Sequence, residues 1–395
     1  MEKYQRIFFE LLENSIADNF LRVVVAGQTH DFGTPDSARH SAALTVHNRK
    51  LFKRVLADGN LGLAEAYMDG WYEVSEGRIY DLLIILLHAN LAEKVRSKAS
   101  YLWNLGWLRL RQLYRGKYHN VQSHYDIGDD LFETFLDSRL TYTCGYQKTD
   151  ADDLEALQTN KFDRICQKLR LQEDELLLDI GCGYGALLIH AAKNFGVKGV
   201  GLTISKHHCE TARRKVQEAG LSDRITIEFA SHQEIEGEFD KVVSVGMMEH
   251  LTRPEYREYI LNIGRVLKPQ GIGLIHTIGC NTSKNHHDPF IQKYIFPGSA
   301  QPKLSEITGE LEREELAILD VENMIRHYAQ TGLQWHDRFT KNYDSLDQQK
   351  YDSRFYRMWE YYLSCVVAGG AASPSALYQV LFARTSQIDM PFQRV

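Results

Sequence analysis

The sequence predicts an α/β protein: a doubly wound, mostly parallel sheet preceded by a smaller α+β domain. Three observations predict it. Short apolar runs recur at 176–180, 197–203, 225–229, 240–246 and 271–278 with helical stretches between them, the alternation of strand and crossover helix that builds a parallel sheet. The first run ends in an acid and enters a glycine-packed turn, Leu176-Leu-Leu-Asp-Ile-Gly-Cys-Gly-Tyr-Gly185. A length of 395 residues exceeds one ordinary core, so a second domain is expected.

Taken in order, residues 1–93 mix alternating runs, Leu21-Arg-Val-Val-Val25 and Ala43-Leu-Thr-Val46, with helical patterns over 61–67 and 81–91; this is the α+β domain. Composition then changes abruptly. Residues 94–117 hold seven Lys or Arg and no acid, interleaved with Tyr101, Trp103, Trp107, Leu110 and Tyr114. We read 94–120 as a basic aromatic linker and 121–395 as the catalytic domain. Two late runs, 316–319 and 378–382, extend the sheet, and 279–315 and 325–375 read as insertions over its carboxyl edge.

Bulk properties exclude several classes. A hydrophobic content of 44% and a charged content of 25% are those of a globular protein. The start Met1-Glu-Lys-Tyr-Gln-Arg6 does not read as a signal peptide. The longest apolar run, Leu82-Leu-Ile-Ile-Leu-Leu87, is far short of the roughly 20 residues a bilayer requires. Six scattered cysteines show no CxxC and no zinc spacing, which predicts reduced thiols, a cytosolic setting and no metal. A net charge of −6 argues against nucleic acid as a partner.

The chemistry gathers at the predicted strand tips. Gly181, Gly183 and Gly185 leave backbone bare for a cofactor and for close helix packing. The spacing is GxGxG rather than GxGxxG, and no acid follows the second strand, Gly199-Val-Gly-Leu-Thr203. With Asp179 before the turn, this favours S-adenosylmethionine over a dinucleotide. Thr203 to His208, Ser205 included, are placed to reach ribose hydroxyls, although Thr203 alone also suits a β-strand. Val245-Gly-Met-Met-Glu-His250 puts Glu249 past the fourth strand, and Ile275-His-Thr-Ile-Gly279 puts His276 at the end of the fifth. Parallel strand ends are neighbours, so Glu249 and His276 are expected to share one acid–base pocket. Either residue singly also fits a satisfied polar group at a strand end. Ahead of the sheet, His124-Tyr-Asp-Ile-Gly128 and Leu140-Thr-Tyr-Thr-Cys-Gly-Tyr146 read as a helical cap or as a lid whose residues 142–144 line the site.

These landmarks, together with Lys293-Tyr-Ile-Phe-Pro297, resemble in order and spacing the cyclopropane-fatty-acyl-phospholipid synthases over nearly the whole chain. The resemblance implies a class I methyltransferase, Rossmann-like fold using S-adenosylmethionine, with bicarbonate as the active-site base. Carried over by position, the anion's residues are Cys144, Glu249, His276, Ile278 and Tyr328. Tyr142 and Thr143 of the lid join Asp179, the three turn glycines, Thr203, Ser205 and His208 around the cofactor. Ser231 and His232 stand where the adenine contact belongs. The chain departs from the family at two places. His207 and His208 replace a ribose-contacting glutamine stretch, and Ser231-His-Gln-Glu234 replaces an acidic adenine-contacting run.

The implied reaction is addition of a methylene carbon to a cis double bond of phospholipid acyl chains at a membrane surface. An alkene is a weak nucleophile, so the methyl donor must be a held electrophile. The resulting cation closes a ring only if a base removes a proton in a dry pocket. Tyr142, Tyr146 and Phe290 are candidates to steady that cation. The 94–117 stretch suits docking on the inner face of a membrane, or alternatively packs between domains. The N-terminal domain resembles an accessory domain serving lipid engagement or a homodimer contact. Rival readings are a lipid methyltransferase leaving a methyl branch, a small-molecule N-methyltransferase and a non-catalytic lipid carrier.

Overall fold

The structure, a computed structural model, describes residues 3–13, 15–16, 18–91, 128–282 and 288–388. The basic stretch 94–117 and residues 124–127 of the His124 motif lie outside the described residues. Packing divides the chain into two units that are not contiguous in sequence. One comprises Met1–Phe135, His287–Pro297 and Gly332–Ser373; the other comprises Leu136–His286, Gly298–Thr331 and Pro374–Val395.

The first unit carries a four-stranded sheet of β1 (Phe20–Val25), β2 (Gln28–Gly33), β3 (Ser41–Val46) and β4 (Tyr72–Glu76), in the order β2-β1-β3-β4. Helices Lys50–Asp58, Asn60–Met68, Ile79–His88 and Ser353–Ala372 accompany it. Every residue of 61–68 is buried, Glu65 among them. That carboxylate is held by Arg54, by the Lys293 ammonium at 2.5 Å and by the Tyr294 hydroxyl at 2.9 Å. The Lys-Tyr pair of the 293–297 motif therefore serves this unit's interior.

The second unit is built on a seven-stranded sheet. Its strands are β5 (Leu176–Ile180), β6 (Lys198–Thr203), β7 (Ile225–Phe229), β8 (Phe239–Val245), β9 (Leu267–Cys280), β10 (Ala317–Asn323) and β11 (Ser375–Ala383). Their order is β10-β11-β9-β8-β5-β6-β7. The five strands read from the apolar runs pair in parallel. The two late runs do extend the sheet, but antiparallel, β11 beside β9 and β10 beside β11. The chain reverses its direction of travel across the sheet between β5 and β8, the crevice where open α/β sheets bind ligands.

Alternation along the strands separates two cores. Leu178, Ile180, Val242 and Ile275 pack with the helix Arg253–Val266. Leu177, Val243, Ile272, Leu274 and Leu381 pack against helices Leu154–Leu169 and Ala186–Phe195. By the period of two, Asp179, His276, Ile278 and Gln379 belong to this second face. The helix Leu154–Leu169 that covers it starts on an Asp153 side chain accepting from the Ala156 N–H at 2.9 Å, which satisfies one of the helix's free amides. Among the described residues no helix is long and apolar enough to cross a membrane.

Candidate active site

All sixteen residues singled out from the sequence as catalytic or cofactor-binding lie in the second unit. Asp179 stands one residue before the end of β5 and is 2% exposed. Burial pushes its carboxyl up to about 7, with Lys161 pulling the other way. Beyond it Gly181, Gly183 and Gly185 have φ of +84°, +54° and +78°, the left-handed region that a side chain disfavours. A methyl added at Gly183 would meet no atom within 4 Å, so this stretch of backbone borders open space.

The ribose and adenine candidates stand at the tips of the next two strands. Thr203 is buried at the end of β6, and its hydroxyl accepts from the Ser205 N–H at 3.2 Å. The Ser205 hydroxyl accepts from the His208 N–H and so caps the helix Lys206–Glu218. His208 is buried with its ring 4.5 Å from Tyr184 of the glycine turn. Past β7, Ser231 caps the short helix His232–Glu234, and His232 packs edge-on against Tyr259. Both seryl side chains thus have structural duties at the mouth of the crevice.

The segment carrying Tyr142, Thr143 and Cys144 is irregular rather than helical, and it is pinned along its length. The Asp137 carboxylate accepts from the Thr141 N–H at 2.6 Å. Gln158 donates to the Thr143 carbonyl at 2.8 Å, and the Lys161 ammonium donates to the Thr143 hydroxyl at 2.7 Å. The Gly145 N–H donates to the Thr331 hydroxyl at 3.0 Å. Tyr146 stacks on His327 at 4.3 Å under the Arg164 guanidinium, so its ring is engaged by the protein's own cation and anchors the segment instead of facing the substrate. Phe290 belongs to the first unit, edge-on to Tyr361.

Three of the five expected anion residues converge. Cys144, Met324 and Leu377 form a buried cluster on which Tyr146, Ile278, Ile325 and Tyr328 pack. Burial pushes the Cys144 thiol up to about 12, which keeps it protonated. Glu249, in the turn after β8, accepts from the Thr277 hydroxyl at 2.6 Å and from the Ile278 N–H at 3.5 Å. The shared pocket of Glu249 and His276 is therefore not a direct contact; the carboxylate's bonds go to the two residues that follow His276. Burial raises the Glu249 carboxyl to about 7. Gly246 lets Thr143 pack close beside this turn, since a methyl there would come 2.9 Å from Thr143 Cγ2.

His276 is buried, and its Nδ1 lies 3.2 Å from the Gln379 amide nitrogen. Its Nε2 is buried and has no hydrogen-bond partner among the described residues. Burial first, then the charges of Lys161 and Lys168, lowers its pKa to about 3, so the ring is neutral. A buried, unsatisfied ring nitrogen is costly unless a ligand meets it. That nitrogen is the observation that a small polar group fits here.

The sequence reading passed over the helix Leu154–Leu169. Its Lys161, Arg164 and Lys168 recur at core-facing spacing between Phe162, Ile165 and Leu169, and they bring three cations to the face that carries Asp179 and His276. Cations at helical spacing inside an apolar run were the available signal.

A profile of the mycolic acid cyclopropane synthetase family matches residues 113–374. The chain is 37% identical over 345 residues to the cyclopropane-fatty-acyl-phospholipid synthase of Escherichia coli (strain K12), covering 87% of this chain and 88% of that one. It is 31% identical over 353 residues to tuberculostearic acid methyltransferase UfaA1 of Mycobacterium tuberculosis, covering 83% and 80%. Among solved structures, mycolic acid cyclopropane synthase CmaA1 complexed with SAH and CTAB superposes with a TM-score of 0.63 at 27% identity, covering 68% of this chain and 98% of that one.

Proposed function

The chain belongs to the mycolic acid cyclopropane synthetase family of S-adenosylmethionine-dependent methyltransferases, and from that premise we propose that it closes cyclopropane rings on phospholipid acyl chains. The methylene carbon comes from S-adenosylmethionine and is added across a cis double bond. The observation that carries the ring-closing reading is the orphaned Nε2 of His276 on the same strand face as Ile278, with Cys144 and Tyr328 packed on Ile278.

The cofactor fits the bare backbone of Gly181, Gly183 and Gly185, with Asp179 supplying negative charge for the methionine ammonium. In this reading Tyr142 and Thr143 border the methionine end, Thr203, Ser205 and His208 the ribose, and Ser231 and His232 the adenine. When bound, S-adenosylmethionine supplies an electrophilic methyl group and bicarbonate supplies a base. His276 donates from Nε2, and Ile278, Cys144 and Tyr328 line the anion's place, the Ile278 N–H being directed at Glu249 and the Cys144 thiol at the Gly145 carbonyl. Glu249, with its carboxyl raised to about 7, is about half ionised at pH 7, and its ionised form can take on the proton that the anion removes from the substrate. Met324, Leu377 and Ile325 exclude water, which would otherwise trap the cation. We assign the enzyme to the cytoplasmic face of the membrane, with 94–117 as its docking segment.

Two measurements test the reading. Bacteria lacking cyclopropane lipids that express the chain should gain one CH₂ on monounsaturated acyl groups, with ring protons visible by NMR. A methyl branch in their place would replace the ring-forming reading with the rival one, and unchanged lipids would overturn both. Gly183→Ala places a methyl in the open space of the turn. It should cost about 1 kcal/mol of stability yet weaken S-adenosylmethionine binding about tenfold or more by calorimetry. Unchanged affinity would move the cofactor away from this turn.

A further inference from the structure

Five side chains, ending at His276 of the anion site, form a line of hydrogen bonds with determined directions. In the sheet register Gln379 of β11 stands between His276 of β9 and Glu322 of β10. The helix above contributes Lys168, whose ammonium lies 2.8 Å from Gln379 Oε1, 2.6 Å from Glu322 Oε2 and 3.5 Å from Asp320 Oδ2. Arg164 clamps the same Glu322 carboxylate with two bonds, at 2.7 and 2.9 Å. Lys168, Gln379 and His276 are all buried.

We propose that Gln379, oriented by Lys168, is a positioning residue that fixes His276 as the Nε2–H tautomer. An ammonium only donates, so the oxygen end of the Gln379 amide must face Lys168. The NH₂ end then faces His276 at 3.2 Å. An NH₂ group also only donates, so Nδ1 must accept and the ring's single proton sits on Nε2. Protonating Nδ1 would set two donors against each other. The order runs without a break: Arg164 and Lys168 to Glu322, Lys168 to Gln379, Gln379 to His276. The orphaned Nε2 is thereby a donor, the form that an anion requires. This assignment rests on the anion-site reading for its purpose, but not for its geometry.

The test uses the full chain labelled with ¹⁵N-histidine, His276 being assigned by the signal lost in His276→Asn. Wild-type protein should show a neutral ring protonated at Nε2. Gln379→Glu preserves side-chain volume but presents an oxygen acceptor to Nδ1, so the proton should move to Nδ1. Ring formation should then fall about 10²-fold or more, with S-adenosylmethionine affinity within about threefold of wild type. Lys168→Met frees the amide to rotate and should give a mixture of the two tautomers. A wild-type ring protonated at Nδ1 overturns the proposal, and so does a Gln379→Glu spectrum unchanged from wild type. Titration with bicarbonate separates the two readings. If the tautomer behaves as stated but bicarbonate moves neither the Nε2 resonance nor turnover, the anion site is wrong and the tautomer-setting line stands.

Discussion

Replacing Glu249 with glutamine is expected to lower ring formation by about 10²-fold or more, and to make the protein more stable above neutral pH. The two effects have one origin. Burial lifts the Glu249 carboxyl from its ordinary 4.5 to about 7, against the opposing pull of the Thr277 hydroxyl. Between those values the folded protein binds a proton that the unfolded chain has released, so stability falls as pH rises through that window. A shift of this size corresponds to about 3 kcal/mol once Glu249 is fully ionised. Glutamine matches the neutral acid in charge and shape but carries no exchangeable acidic proton. The variant should therefore match wild type near pH 5 and exceed it near pH 8 in urea unfolding, with S-adenosylmethionine affinity within about threefold. A gain in stability beside a loss of activity marks a functional residue. Near-wild-type turnover would remove Glu249 from the proton path; equal pH dependence of stability would show that the carboxyl is not held neutral.

Much of this architecture could be read from periodicity, because a parallel strand buried on both faces shows as a short apolar run. The runs 176–180 and 225–229 match β5 and β7 residue for residue. The antiparallel setting of β10 and β11 was not legible, since a run of apolar residues carries no sign of its direction. The two-unit packing was hidden for a related reason. Residues 288–297 and 332–373 lie far along the chain but pack with its N-terminal part, and no local pattern records a non-local partner. At the site, residues on strand tips were legible because glycine, acid and histidine are unusual there. Thr277, Gln379 and Lys168 were missed because each is an unremarkable residue alone. The register that sets Gln379 beside His276 and Glu322 gives Gln379 and Lys168 their role, and the turn after β8 gives Thr277 its own by bringing Glu249 to it.

Lys161 is expected to govern cofactor binding through its charge beside Asp179 and its bond to the Thr143 hydroxyl. It is fully buried, and desolvation lowers its pKa to about 7 even though Asp137, Cys144 and Asp179 favour its charged form. Asp179 is its counterpart, raised to about 7 by burial and restrained by Lys161. If Asp179 receives the methionine ammonium, it must be ionised to do so, and affinity should climb as pH rises through about 7. Lys161→Met keeps the aliphatic volume but deletes the cation, so Asp179 should hold its proton to higher pH. Displacing that titration by one unit lowers the ionised fraction at pH 7 from about one half to about one eleventh and so costs about fivefold in affinity, and the climb should reappear at higher pH rather than vanish. Lys161→Arg should not restore it, because a guanidinium needs more acceptor partners than the Thr143 hydroxyl offers in this buried place. Calorimetric titration across pH reads the displacement, and thermal melting confirms that each variant is folded. If the Lys161→Met affinity rises over the same pH range as wild type, Asp179 does not depend on this lysine, and the coupling between helix Leu154–Leu169 and the glycine turn is absent.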